Sequence, residues 1–242
     1  MKDVHIGTSG WHYRSWRGQF FPDGLIVRKQ LSYYATQFDT TELNGVFYRT
    51  PSLEAVKAWR DDTPDDFIFA WKASKFITHW KRLTGSSRNS ITLMETRLQR
   101  LGKKAGPVLF QLPPHFRVDY ARIAAFLRLL KPSRRYAFEF RHESWYTDQI
   151  FQLLRDHDIS LCLSDHADAP SPLEVTASHV YVRGHGPDGK YKDHYPDRAL
   201  RKWADHIRTW RRQRRSVYFY FDNDQKSAAP ADAARLKALL GL

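Results

Sequence analysis

The 242-residue sequence contains one cysteine, Cys162, so it has no internal disulfide and no cysteine-ligated metal cluster, and it fits a reducing compartment. No apolar run reaches the 18 residues of a membrane span, and the opening Met-Lys-Asp-Val-His-Ile-Gly leads into a strand without an apolar signal region. These two absences predict a soluble, cytoplasmic protein. No Gly-x-Gly-x-x-Gly follows the first strand, which removes the signal for a dinucleotide fold. There is likewise no P-loop and no Gly-x-Ser-x-Gly nucleophile elbow. Histidines at metal-ligand spacing, internal repeats, linkers and low-complexity segments are also missing. Acidic charge is in short supply, with 26 Asp and Glu against 39 Lys and Arg, a formal net charge of +13. That balance favours anionic partners and leaves the fold open.

An apolar content of 42% over this length suits one domain with a substantial core, spanning residues 1–242. Eight short apolar runs read as strands, at 4–9, 40–48, 67–74, 108–112, 136–142, 160–165, 179–185 and 217–223. Between most of them lies a helical stripe, such as Leu31, Tyr34, Ala35 and Phe38 at i, i+3, i+4 and i+7. Pro51 and Pro230 are read as opening helices, and Asp119 and Asp197 as capping them. The stretch 167–172 holds two prolines and little periodicity, so the connection after the sixth strand is expected to be irregular or shortened. Strands too continuously apolar for a half-exposed sheet, alternating with helices, predict an α/β fold, a single (β/α)8 TIM-type barrel. An open doubly wound sheet is the alternative.

The strand ends of such a barrel meet at one mouth, where sites are built. The fifth strand carries Glu139 and Arg141 two apart, hence on one face, an unusual pair to aim into a sheet. The other ends supply Glu42 and Asn44, Lys72, Gln111, Asp165, Arg183 and His185, then Asp222 and Asn223. These side chains are predicted to meet in one solvated cavity. A self-neutralising lattice of ion pairs is the competing reading, and the number of charges argues for function because burying them is unfavourable. Arg141, Arg183 and Lys72 are candidates to hold an anion, and Asn44, Gln111, Trp11, Trp145 and Asn223 further substrate contacts. Glu139, Glu42, Asp165 and His185 are the candidates for proton transfer, as in a hydrolase or lyase working through carboxylate acid/base chemistry. His5, Glu42, Glu139, Asp165, His185 and Asp222 are donors of the types metals accept, but the neighbouring cations oppose a metal, so no cofactor is predicted and a divalent metal stays the lesser alternative. Cys162 reads as a small core residue.

The loops around the mouth mix Trp11, Trp16, Trp80, Trp145 and Tyr146 with Arg14, Arg17, Lys81, Arg82, Lys190 and Lys192, which suits stacked bases with phosphates between them, or a sugar face. The densest basic runs, at 103–104, 131–135 and 208–215, precede strands and belong at the opposite end, as solvated surface or a separate polyanion patch. The polar loop 186–196 carries Gly-Pro, Asp-Gly and Tyr-Pro turn signals, and could close over a metabolite in a non-catalytic sensor. A small anionic ligand is the expected partner, with nucleic acid the alternative and no membrane.

Six ordered blocks of the chain resemble the domain-of-unknown-function 72 (DUF72) family, the YecE-like proteins. They are Gly7-Thr-Ser-Gly-Trp11 with Trp16 and Gly18, Glu42-x-Asn44 with Phe47 and Tyr48, and Lys72-Ala-Ser with Ile77-Thr-His79. The others are Gly106-Pro-Val-Leu-Phe-Gln-Leu-Pro-Pro114, Phe138-Glu-Phe-Arg-His142 with Trp145, and Tyr181-Val-Arg-Gly-His-Gly186. The resemblance implies a TIM-type barrel without a settled activity, and a nuclease-like, DNA-binding role by similarity to the endonuclease IV barrel, which would make the chain a metal-dependent phosphodiesterase. The chain departs from the family pattern at Gly184, where leucine is usual, and at Asp222, where an Asn-Asn pair is typical.

Overall fold

The computed structural model describes residues 3–242. Eight parallel strands close into a barrel in sequence order, with β8 pairing back to β1. They are β1 (Val4–Ser9), β2 (Thr40–Leu43), β3 (Ile68–Lys72), β4 (Ala105–Gln111), β5 (Tyr136–Glu139), β6 (Ser160–Ser164), β7 (His179–Gly184) and β8 (Ser216–Phe221). Seven α-helices surround them: α1 (Gln30–Gln37), α2 (Leu53–Asp61), α3 (Arg88–Leu101), α4 (Tyr120–Leu127), α5 (Asp148–Asp156), α6 (Asp197–Arg212) and α7 (Ala228–Leu240). No α-helix separates β6 from β7, as the prolines of that connection lead one to expect.

Several strands end earlier than their apolar runs. β2 stops at Leu43 because Asn44 turns to the helical region and Gly45–Phe47 forms a single 3-10 turn. The helix starts also differ from expectation. Ser52, not Pro51, caps α2 by accepting from the Ala55 amide, and Asp197 is the first residue of α6 rather than its cap. Pro230 is the third residue of α7, where a missing N–H leaves no helical bond unmade. Asp119 does cap α4, its side chain accepting from the Arg122 amide.

Alternation along the strands divides the core in two. Outward residues such as Phe110, Phe138, Val182 and Phe219 are buried against the helices. Inward residues Ala70, Leu109, Ala137, Cys162, Tyr181, Tyr218 and Tyr220 fill the barrel itself. Cys162 is thus a small buried core residue. Small residues on β3, β5 and β6 leave room for the large phenols of β7 and β8, with Tyr181 and Tyr220 ring centroids 5.3 Å apart. One inward step above this layer, the same strands present Ser9, Glu42, Lys72, Gln111, Glu139 and Arg183. This polar layer roofs the packed core.

Candidate active site at the barrel mouth

Arg183 is the hub of the roof. Its Nε donates to both oxygens of Glu42 at 3.2 and 3.1 Å, its Nη1 to Glu139 Oε2 at 2.9 Å, and its Nη2 to Asp222 Oδ2 at 2.8 Å. Arg183, Glu42 and Glu139 have 0% exposure, so these charges lie in a sealed layer and not in the open wet cavity expected from sequence. The carboxylates have further donors: Ser9 Oγ at 2.5 Å and the Tyr181 hydroxyl at 2.6 Å on Glu42, and Gln111 Nε2 at 2.9 Å on Glu139. Burial alone would raise the Glu139 carboxyl, but Arg141 and Arg183 beside it outweigh burial and hold it well below the usual carboxylate range. Glu42 and Glu139, two of the carboxylates assigned to proton transfer, are therefore locked as partners of arginine.

Two cations stand apart from that hub. Arg141, just beyond β5, sets Nη2 2.5 Å from Glu139 Oε1, an ion pair whose angle does not make a hydrogen bond. Its Nε is sealed from solvent and has no hydrogen-bond partner among the described residues. Lys72, the last residue of β3, donates to Asn44 Oδ1 at 3.1 Å and sits 4.6 Å from the centroid of the Phe47 ring. Among the described residues it has no carboxylate partner. Burial, reinforced by the charge of Arg183, lowers its amine to about 8.

His185 lies behind the two arginines. Its Nε2 is 3.2 Å from Arg183 Nη1 and 3.4 Å from Arg141 Nη2, both obligate donors, so Nε2 accepts and the ring proton belongs on Nδ1. That nitrogen faces Asp165 Oδ1 at 3.3 Å, which also accepts from the His185 amide at 2.7 Å. Tyr195 donates its hydroxyl to the other Asp165 oxygen, so Asp165 orients His185 from outside the mouth. Gly184 makes this possible: a Cβ there would stand 2.9 Å from the Tyr195 hydroxyl. The departure from the family pattern at 184 thus coincides with a close approach by Tyr195. The loop from Gly186 folds back over the mouth and places the Tyr191 hydroxyl 3.2 Å from Arg141 Nη2, with its ring 4.9 Å from that of His185.

The structure brings Glu42, Asn44, Lys72, Gln111, Glu139, Arg141, Arg183 and His185 together, with Asp165 behind them. It does not bring in Trp145 or Asn223. Trp145 is fully buried below the loops, stacked on Phe140 at 4.8 Å and donating to the Phe116 carbonyl. Asn223 follows Asp222 and so points to the other face, where its amide donates to Asp232 at 2.9 Å and to the Asp193 carbonyl at 2.8 Å. Both are placed by packing. Trp11 lines a groove beside the mouth, edge-on to Trp59. Sequence reasoning left Ser9, Phe47 and Tyr181 out of the candidate contacts, although all three lie in the blocks that carry the family resemblance. Period-two alternation from His5 and from Arg183 points to Ser9 and Tyr181, while Phe47 lies in a turn that no periodicity marks. Among the described residues, no group of three or more His, Cys, Asp and Glu side chains is arranged to hold a metal, and no helix is long and apolar enough to cross a membrane.

A sequence profile described as "Protein of unknown function DUF72" matches residues 5–242. The UPF0759 protein YunF of Bacillus subtilis is 24% identical over 99% of this chain and 95% of its own length. The UPF0759 protein YecE of Escherichia coli K12 is 29% identical over 59% of this chain and 50% of its own length. Among solved structures, a DUF72 family protein of Thermotoga maritima superposes with a TM-score of 0.87 at 26% identity, covering all of both chains. A DUF72 family protein of Enterococcus faecalis, at 20% identity and a TM-score of 0.83, covers 99% of this chain and 96% of its own and shares the fold.

Proposed function

The chain belongs to the DUF72 family of proteins of unknown function, and from that premise we propose that it is an enzyme acting on a small molecule that carries a phosphate or carboxylate group, bound at the C-terminal mouth of the barrel. One observation carries this reading: Arg141 Nε is a buried donor without an acceptor, on a guanidinium whose Nη2 meets the loop hydroxyl of Tyr191. Leaving such a donor unmet costs about 1–3 kcal/mol, more for a charged group, and a ligand oxygen would supply the missing acceptor. The Tyr191 hydroxyl holds the neighbouring Nη2 as a ligand oxygen would, so binding displaces it.

The roles differ from those assigned on sequence. Arg183, saturated by Glu42, Glu139 and Asp222, fixes the geometry of the roof and does not grip substrate. Arg141 grips the anion, as a planar guanidinium is suited to do. Glu139 and Glu42 orient the arginines, and Lys72 is the group able to exchange a proton near neutral pH, its amine being lowered to about 8. Thermal shift measurements over a panel of phosphates and small carboxylates are expected to show stabilisation in the parent chain and its loss in Arg141→Gln. Equal stabilisation in both would remove Arg141 from the assignment.

A second reading, binding of single-stranded nucleic acid, draws on a different feature. Tyr48 and Trp80 are 68% and 66% exposed on the rim, and Lys75 Nζ stands 5.5 and 5.2 Å from their ring centroids. That reading requires affinity for an oligonucleotide to fall steeply with added salt and to depend on Trp80.

A further inference from the structure

Amines in proteins are ordinarily kept protonated by a carboxylate or by water, and the mouth denies Lys72 both. Three buried carboxylates, Glu42, Glu139 and Asp222, lie close to it, yet each is taken by an arginine. Lys72 is left with one amide oxygen, Asn44 Oδ1, and an aromatic face, Phe47. It is 6% exposed. His79, which packs edge-on to Phe47 at 5.1 Å, is neutral near pH 7, since burial and then the charge of Lys72 lower its imidazole to about 4, and it offers the amine no counter-charge. A buried amine beside another cation and without an ionic partner is the environment in which lysine serves as a nucleophile toward carbonyl carbon.

A second feature leads to the same amine. A groove of about 850 Å³ runs between the β1 and β2 loops and the helices α2 and α3, within the range of small-molecule sites. Trp11, Tyr48 and Trp59 are among its walls, and so is Arg49, whose side chain has no hydrogen-bond or ion-pair partner among the described residues. Leu43 and Asn44, at the end of β2, are also among its lining residues. Asn44 therefore belongs both to the groove and to the amine.

We infer that Lys72 is an imine-forming nucleophile, and that the substrate is an aldehyde or ketone bearing a carboxylate or phosphate, its body lying in the groove and its carbonyl carbon meeting Nζ past Asn44. This rests on the reading of the mouth as an anion-binding active site and names its substrate class. The step balances without a further reactant. Neutral Nζ adds to the carbonyl carbon, its two protons pass to the carbonyl oxygen, which leaves as water, and a C=N bond to Nζ replaces C=O. Asn44 accepts from Nζ–H and aims the nitrogen lone pair away from itself, toward the incoming carbon.

The test traps the imine. The full-length protein is incubated separately with glyoxylate, pyruvate and pyridoxal 5′-phosphate, reduced with sodium borohydride and mapped by peptide mass spectrometry, with competing surface lysines such as Lys75 and Lys81 as internal references. The expected result is at least tenfold preferential reduction onto Lys72 with one or more probes. Lys72→Arg keeps the charge and loses the adduct, and Asn44→Leu lowers the yield several-fold while circular dichroism confirms the fold of each variant. Labelling of Lys72 no greater than that of Lys75 and Lys81 with all three probes would overturn the inference. If the same probes still stabilise the protein through Arg141, anion binding stands and the covalent step alone is wrong. If Lys72 is trapped but Arg141→Gln does not weaken binding of any probe, the imine stands and the anion assignment falls.

Discussion

Arginine and lysine crowd both ends of this barrel, but the two ends treat them differently. At the mouth, Arg183 meets three carboxylates with no exposed surface, and even Arg141 has a side-chain exposure of only 9%. At the base, Arg208 pairs with Asp205 while 49% and 74% of their side chains stay in solvent, and Lys131 and Arg134 share Glu95. A base cavity is lined by Asp3, Asp65 and Asp66 together with Lys103, Arg134 and Arg135, a mixture that water can screen. The contrast teaches that net charge locates little. What distinguishes the mouth is cationic charge withdrawn from water and left without an acceptor at Arg141 Nε and without a carboxylate partner at Lys72 Nζ.

The comparison breaks most sharply at Arg183. Replacing it with methionine leaves Glu42, Glu139 and Asp222 buried without their main partner, and urea unfolding is expected to show a loss of about 3–5 kcal/mol. A loss under about 1 kcal/mol would mean that the roof is wetter than its geometry indicates.

Glu139→Gln should follow, with a loss of about 2–4 kcal/mol at neutral pH. Its pH dependence sharpens the point. The folded carboxyl is held below its unfolded value, so the folded state binds fewer protons as pH falls. Its contribution is complete above the ordinary carboxylate range and is lost as pH drops toward the depressed folded value. The parent chain should therefore lose stability on acidification more steeply than Glu139→Gln.

Lys72 gives the same sign in a separate, alkaline window. Its amine is lowered to about 8, so between that pH and the ordinary lysine value of about 10.4 the unfolded chain binds more protons, and stability rises with pH. Lys72→Met should abolish that rise, by up to about 1.4 kcal/mol per pH unit across the window. The smallest effect belongs to the base. Arg208→Ala and Arg212→Ala should each change stability by under about 0.5 kcal/mol, and added salt should shrink even that. A larger effect at the base would erase the distinction between the two ends.

Much of the barrel was legible because its signals are local. Continuous apolar runs placed all eight strands, and the proline-rich stretch after β6 announced the missing helix. Period-two logic at the strand ends gathered Glu42, Lys72, Glu139 and Arg183, since an inward residue at a strand end has nowhere to go except the mouth. It failed for Trp145 and Asn223, both beyond the last strand residue, where the chain turns and position no longer fixes direction. The division of labour among the cations was also hidden. Whether an arginine is saturated or vacant depends on distances among strands that are far apart in sequence, and composition treats Arg183 and Arg141 alike. Tyr191, which covers Arg141, lies on a loop read for its turns, its lysines and its closure over a ligand, without a role for the phenol.

The most direct measurement is the side-chain NMR signal of Arg141 Nε–H, assigned by its disappearance in Arg141→Lys, during titration with inorganic phosphate and with pyruvate. The account predicts a saturable change in that resonance with at least one of the two, while the Arg183 Nε–H signal, already bonded to Glu42, moves much less. An Arg141 signal that stays still through both titrations, or that moves no more than Arg183, would contradict the claim that the mouth keeps an open place for an anion.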